Sequence, residues 1–324
     1  MTSPQPADPA ISAPDTLHAA AIYESDQDLR DRIVTFLIDG LARREKVVAV
    51  VPQRTGEILG AALGSGAMMV QWGVPGLDYH HLGRATETVR NYLAERRAAG
   101  DPTRLLTETE VDGGIRGPGR MAAYLRAESA AEGLYGSHGF PWLCLYDRRH
   151  YSPGMLTDAE RVHPYLLDEQ GEPVLNKDYV DPATYLAAHP GPMSVVPSQV
   201  TLDLELNDLN DLGDLRSRAG DAALGLGLDL KDTRMAEVAV GEVIANAFRH
   251  GSPPGRLRVW RDADAVLIRV DSAGPGPEVA VSGFSPPDLA AGSGAGLWVT
   301  RQIADVVHAE TRRDGTSVEM QFPL

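Results

Sequence analysis

The chain has 324 residues and a single cysteine, Cys144. No intrachain disulfide can form, and a reducing, cytoplasmic setting is expected. Cations are in deficit: 30 Lys and Arg stand against 45 Asp and Glu, a formal net charge of -15. So acidic a surface argues against direct nucleic-acid binding, which needs a basic footprint. It argues equally against a polybasic membrane patch, and it favours a partner protein with a basic patch. No apolar run reaches the ~18 residues that a membrane span needs. Residues 1–16, MTSPQPADPAISAPDT, lack the basic and apolar regions of a secretory signal, and their four prolines read as a disordered tail.

What is present suits packed cores. Apolar residues make up 43% and charged residues 23%, ordinary values for a globular protein, and the length predicts two domains. The first, residues 17–186, alternates strands and helices. Strands are predicted at His18–Tyr23, Val47–Val51, Leu105–Glu108 and Trp142–Tyr146. Helices are predicted from Ser25 to Arg44, at Arg54–Leu63, at Thr86–Ala99 and at Gly119–Gly133. This alternation implies an α/β fold with a mainly parallel sheet, whose ligands bind at the carboxyl ends of strands. Residues 187–200, with three prolines, read as a linker. The second domain, 201–324, changes pattern: a strand at Thr201–Leu206, helices at Asn210–Leu226 and Met235–Phe248, a hairpin (Arg256–Arg261 with Ala265–Val270), a helix at Leu297–Val307 and a strand at Ser317–Phe322. That is an α+β layer of helices against a mixed sheet.

Three glycine-marked boxes stand out in this half. The first is EVIANAFRHG, Glu242–Gly251. A helix advances about 100° per residue, so Glu242, Asn246 and Arg249 share one narrow stripe on an otherwise apolar helix. An Asn oxygen suits Mg²⁺ on nucleotide phosphates, and a carboxylate one turn away suits a general base; a solvated stripe is the plain alternative. The second box is VDSAGPGP, Val270–Pro277, where Gly274 and Gly276 permit sharp turns or close approach to a flat ligand. The third is GSGAGLWVTRQIAD, Gly292–Asp305, with glycines ahead of a helix start, a standing phosphate site. It is not a Walker A loop, because no Lys-Ser/Thr follows.

In this order and spacing the boxes resemble the N, G1 and G2 boxes of the GHKL (Bergerat) ATP-binding sandwich, the family of histidine-kinase catalytic domains and anti-sigma-factor serine kinases. The resemblance spans Thr201–Leu324 and implies ATP and Mg²⁺ as cofactors. It assigns Mg²⁺ to Asn246, the base to Glu242, the adenine pocket to Gly274, Gly276 and Thr316, and the phosphate cover to Gly294, Gly296 and Leu297. Two positions depart from the family. Ser272 stands where the family has the adenine-binding Asp, with Asp271 one residue early; a β-bulge would be needed to bring Asp271 into place, and otherwise a polar pair worth ~1–3 kcal/mol is lost. Gly292 stands where the serine-kinase branch has an Arg, leaving Arg301 or Arg249 as substitutes.

In the first half, His18–Tyr23, Phe36-Leu-Ile-Asp-Gly-Leu41, Leu143-Cys-Leu-Tyr-Asp147 and His163-Pro164 resemble the MEDS sensory domain. The resemblance implies a RecA-like core that senses a small-molecule effector, here without a Walker A lysine and so without ATP hydrolysis. His18, Cys144, Asp147 and His163 are the candidate pocket residues, with Glu108 and Glu110 as further candidates. Each has a plain alternative: Cys144 as a buried apolar residue, Asp147 as cap of the turn at Arg148-Arg149, His163-Pro164 as a helix end. The Cys and His spacing matches no closed zinc pattern, and His80-His81 reads as surface.

The combined reading is a signalling regulator. A sensor controls an anti-sigma-factor-like ATPase that binds a sigma factor or its antagonist and phosphorylates it on Ser or Thr, with a homodimer implied by the family. The alternative is a partner-binding module without ATP turnover. A sensor histidine kinase ranks below both, because no long helix with a phospho-accepting His precedes Thr201.

Overall fold

In the computed structural model the described residues are 17–77, 82–109, 117–135, 139–209, 211–274, 279, 281–284, 287 and 295–324. The first half opens with β1 (His18–Tyr23) and a continuous helical stretch: α1 (Asp26–Asp28), a π-turn at Leu29–Ile33 and α2 (Val34–Ala42). Ser25 caps it, its Oγ accepting from the Asp28 amide at 3.1 Å. There follow β2 (Lys46–Val50), α3 (Gln53–Leu63), β3 (Gln71–Trp72), α4 (Leu82–Ala99), β4 (Thr103–Glu108), α5 (Gly117–Tyr135), β5 (Trp142–Asp147), α6 (Pro153–Arg161), β6 (Tyr165–Leu167), β7 (Pro173–Leu175) and α7 (Pro182–Ala188). The sheet order is β3-β2-β4-β5-β1-β6-β7, parallel except for the β6–β7 pair.

The register His18↔Trp142 through Tyr23↔Asp147 aligns two fully buried strands. Strand alternation then splits their side chains between two cores. Ala19, Ala21, Leu143 and Leu145 pack with Ile33, Leu37 and Leu59 on one face. Ala20, Trp142, Cys144 and Tyr146 pack with Leu93, Leu125 and Leu156 on the other.

The second half contains β8 (Leu202–Leu206), α8 (Leu212–Gly225), α9 (Leu230–His250), β9 (Ser252–Asp262), β10 (Ala265–Ala273), α10 (Ala295–Ile303), β11 (Val306–Arg312) and β12 (Gly315–Pro323). Its antiparallel sheet runs β11-β12-β10-β9-β8. One face packs on α8 and α9 through Val240, Val243, Ile244, Val266, Ile268 and Met320. The expected helix Leu297–Val307 is corrected here: it stops at Ile303, and Val306–Arg312 pairs with β12 as an edge strand. Ala304–Val307 continues the apolar pattern of α10, and a short apolar run does not separate helix from strand.

Residues 189–200 form neither helix nor strand, but they are docked. The Arg269 guanidinium donates to Ser194 O, and the Ser194 hydroxyl donates to Glu319 at 2.7 Å. A Cβ on Gly191 would lie 2.4 Å from the His308 ring, so chain and strand touch backbone to side chain there. Together with α5, this segment covers the sheet face opposite α8 and α9. That cover explains how Arg269, Glu319 and His308 come to be buried polar residues.

Candidate functional site

The pocket of the second half lies between α9 and the sheet. Val243, Asn246, Ala247, His250 and Gly251 supply its helical wall; Val270, Ser272, Thr316 and Val318 supply its floor; Val279, Ser282 and Leu297 close it. The floor follows from register: Val270 pairs with Val318 and Ser272 with Thr316, all on the inner face. The Thr316 hydroxyl is buried and has no hydrogen-bond partner among the described residues. An orphaned group of this kind in an apolar slot is what a heterocycle edge would satisfy.

At the rim, α10 begins against the polar stripe of α9. A Cβ built on Gly296 would sit 2.3 Å from Asn246 Nδ2 and 3.2 Å from Glu242 Oε2. A side chain at 296 would push the Asn246 carboxamide aside. The amides at the start of α10 therefore stand beside the carboxamide that suits Mg²⁺ and the carboxylate that suits a base, an arrangement fit for phosphates. Arg249 lies next to it, NH1 being 3.5 Å from Asn246 Oδ1.

The structure sorts the sequence candidates. Asn246, Leu297 and Thr316 line the pocket, with Glu242 and Gly296 at its edge. Gly274 has φ +79° and its amide donates to Asp314 O at 3.1 Å, so it shapes the β10–β12 end without lining the pocket. Gly276, Gly292 and Gly294 lie outside the described residues. The placing of Asp271 as an adenine ligand is corrected. A register shift does occur between Asp271 and Ala273 where β10 pairs with β9, but Asp271 keeps to the outer face. There it holds Arg258 and accepts from Ser317 Oγ at 2.5 Å; Ser272 occupies the pocket instead. Arg301 is also spoken for. Its Nε and NH1 donate to Ser282 O and Val307 O at 3.0 and 2.9 Å, and its guanidinium lies 3.9 Å from the Phe284 ring centre. His250 and Ser282 were not anticipated as lining residues. His250 stands four residues after Asn246, so helical spacing contained that signal; Ser282 lies in a loop and left none.

In the first half, His18, Cys144 and His163 come together, and Glu128 of α5 joins them. Glu128 Oε1 lies 3.4 Å from His18 Nε2, 3.2 Å from His163 Nε2 and 3.0 Å from Cys144 Sγ. Burial pushes His18 down to about 4. Burial, then the charge of Glu128, pushes the Cys144 thiol up. Burial alone would raise Glu128, but the two imidazoles beside it, His163 first and then His18, hold it below the usual carboxylate range. Asp147 is the exception among the four candidates. It points to the opposite face, accepts from the Arg149 amide at 2.9 Å and pairs with that guanidinium at 2.6 Å, so it caps its turn. Glu108 accepts from Tyr23 OH at 2.6 Å, and burial raises its pKa. Glu110, His80 and His81 lie outside the described residues.

The halves also meet. Arg84 of α4 pairs with Asp232 of α9 at 2.6 Å, and Arg120 of α5 pairs with Asp305 at 2.7 Å. Gly83 touches the last turn of α10, where a Cβ would lie 1.8 Å from Arg301 O.

Two family models match the chain. Residues 17–164 match MEDS, the methanogen/methylotroph DcmR sensory domain, and residues 206–322 match the histidine kinase-like ATPase domain. The chain is thus a MEDS domain fused to an ATPase domain of the GHKL type, a type that implies ATP binding, generally with Mg²⁺. No curated protein matches the chain. Among the described residues no helix is long and apolar enough to cross a membrane.

Proposed function

We propose that this fusion is a signalling regulator in which MgATP bound between α9 and α10 sets the state of a partner-binding surface, and in which the MEDS half biases that state. The observation that carries the reading is the meeting of Gly296 with Asn246 and Glu242 above an apolar pocket floored by Thr316. Asn246 would hold Mg²⁺, the amides opening α10 the phosphates, and Thr316 and Ser272 the polar edge of adenine. Glu242 would deprotonate a Ser or Thr hydroxyl of an anti-sigma antagonist presented at the rim. The partner is a sigma factor or its antagonist, and an acidic chain of net charge -15 favours a basic contact patch on it.

The link between halves supports regulation. Every displacement of α10 by nucleotide must be accommodated at Gly83 of α4, which abuts Arg301, and at Asp305, which holds the Leu82 amide of α4 and Arg120 of α5. An effector bound there controls nucleotide only if it binds the two states unequally. The test is phosphate transfer from labelled ATP to candidate antagonists, with acid-stable label on the antagonist as the supporting result.

A second reading is a partner-binding module without turnover. Asp271 favours it, being engaged with Arg258 and Ser317 outside the pocket. It requires tight partner binding that ATP leaves unchanged. The histidine-kinase reading fits less well, since residues 189–200 ahead of β8 are not helical and α7 before them has only 7 residues.

A further inference from the structure

The cluster of His18, Glu128, Cys144 and His163 has no role in the nucleotide site, and its chemistry is unbalanced as it stands. Its four residues are 2%, 7%, 1% and 0% exposed. Enclosing a carboxylate with a thiol and two imidazoles is costly unless a cation compensates it. One contact makes the imbalance specific. His163 Nδ1 lies 2.7 Å from Ala159 O, which can only accept, so Nδ1 carries a proton. In the neutral ring, the Nε2 lone pair then faces Glu128 Oε1 at 3.2 Å, lone pair against lone pair. A second proton or a metal ion resolves this.

Geometry favours the metal. The four donor atoms all lie within 4.8 Å of one another. Four of the six edges are 3.4 Å (His18–Glu128), 3.2 Å (His163–Glu128), 3.0 Å (Cys144–Glu128) and 3.6 Å (Cys144–His18). A tetrahedron with bonds of ~2.0–2.1 Å to N and O and ~2.3 Å to S has edges of about 3.3–3.6 Å. The surroundings suit a thiolate: Trp142 Nε1 donates to Thr107 Oγ1 at 2.8 Å, and that hydroxyl donates to Cys144 Sγ at 3.4 Å. The Ala159 carbonyl orients His163 as outer partners of metal-bound imidazoles do. A divalent ion with one carboxylate, one thiolate and two neutral imidazoles forms a neutral unit.

We propose that His18, Glu128, Cys144 and His163 form a closed, tetrahedral site for a divalent ion of the zinc type. On binding, the Cys144 S–H bond breaks, the sulfur pair forms the metal bond and the proton leaves to solvent. Protein fills all four positions, so the ion is structural. It ties β1, β5 and the turn after α6 to α5, the helix that also contacts β11 of the ATPase half. Sequence spacing hides the site because its ligands come from four separate segments.

The test is metal analysis of the untagged full chain, then replacement of the ion by Co²⁺. The expected results are about one Zn²⁺ per chain, and intense visible bands of tetrahedral Co²⁺ with thiolate charge transfer. Folded protein that retains no Zn²⁺ after incubation with excess and desalting would overturn the proposal and leave an imidazolium–carboxylate pair. A weak octahedral Co²⁺ spectrum would overturn it equally. Cys144→Ser should abolish the charge-transfer band, and a folded variant that keeps it removes Cys144 from the site. Thr107→Val keeps every ligand, so it should weaken Zn²⁺ binding against a chromophoric chelator by roughly 10–100-fold while leaving the Co²⁺ geometry unchanged. Unchanged affinity would contradict the thiolate assignment.

Discussion

Asp305, just beyond α10 of the ATPase half, accepts a hydrogen bond from the backbone amide of Leu82, the first residue of α4 in the sensory half, at 3.1 Å. The same carboxylate holds Arg120 of α5 at 2.7 Å and is almost fully buried. One side chain thus caps a sensor helix and anchors a second one. Asp305→Ala leaves a helix-end amide and a half-buried guanidinium without this acceptor, each group costing up to ~1–3 kcal/mol. The expected outcome is a lower thermal midpoint, unfolding in two steps instead of one, and faster protease cleavage between the halves. A single unshifted transition would show that the interface does not depend on Asp305.

Thr316 gives a prediction with opposite signs in two states. Its hydroxyl is buried without a hydrogen-bond partner among the described residues. Thr316→Val should therefore leave the nucleotide-free protein as stable as before, or slightly more so. Nucleotide affinity should fall by about 1 kcal/mol, roughly 5-fold. Thermal shift with and without MgATP reads both, and a variant destabilised without nucleotide contradicts the assignment.

Glu242 separates binding from chemistry. It sits at the edge of the pocket beside Gly296, one turn from Asn246. Glu242→Gln keeps size and polarity but removes the proposed base. Transfer to an antagonist should fall by 10²-fold or more, while MgATP binds as before. Undiminished transfer would remove Glu242 from the mechanism.

His308 sets an acid limit on stability. It is buried in β11, and burial lowers its pKa from 6.5 to about 4. Glu319 opposes the shift, and Arg126, Arg301 and Arg269 add to it. A histidine with a lowered pKa stays neutral when folded. Its contribution is whole above pH 6.5 and is lost as pH falls towards 4, where the unfolded chain takes up a proton that the folded one does not. The loss amounts to roughly 3 kcal/mol across that window. Denaturant titrations of wild type and His308→Gln should diverge below pH 6.5, the variant showing the shallower slope. Parallel curves would mean that His308 does not titrate there.

How much of this was readable from residues alone follows physical lines. Asn246 and Glu242 were legible because helical spacing fixes the face on which both fall. Asp271 was legible in count but not in direction: neighbouring strand residues face opposite ways, and the shift in β9 pairing did not rotate it inward. β11 was hidden because its apolar start prolongs the pattern of α10. His18, Cys144 and His163 could be singled out separately, yet nothing in the spacing of Glu128 on its helix marks it out. Only the pairing of β1 with β5, and the packing of α5 across them, brings the four together. The contacts between the halves left no sequence signal, since residues such as Asp305, Leu82 and Arg120 acquire roles only through docking.

MgATP binding in the pocket between α9 and α10 is expected to depend on Asn246. Titration calorimetry of MgATP into the full chain, repeated with Asn246→Ala, tests it most directly. Saturable binding by the wild type, lost in a folded Asn246→Ala protein, is the expected result. No heat of binding to the folded wild type, or equal binding by both, would contradict it.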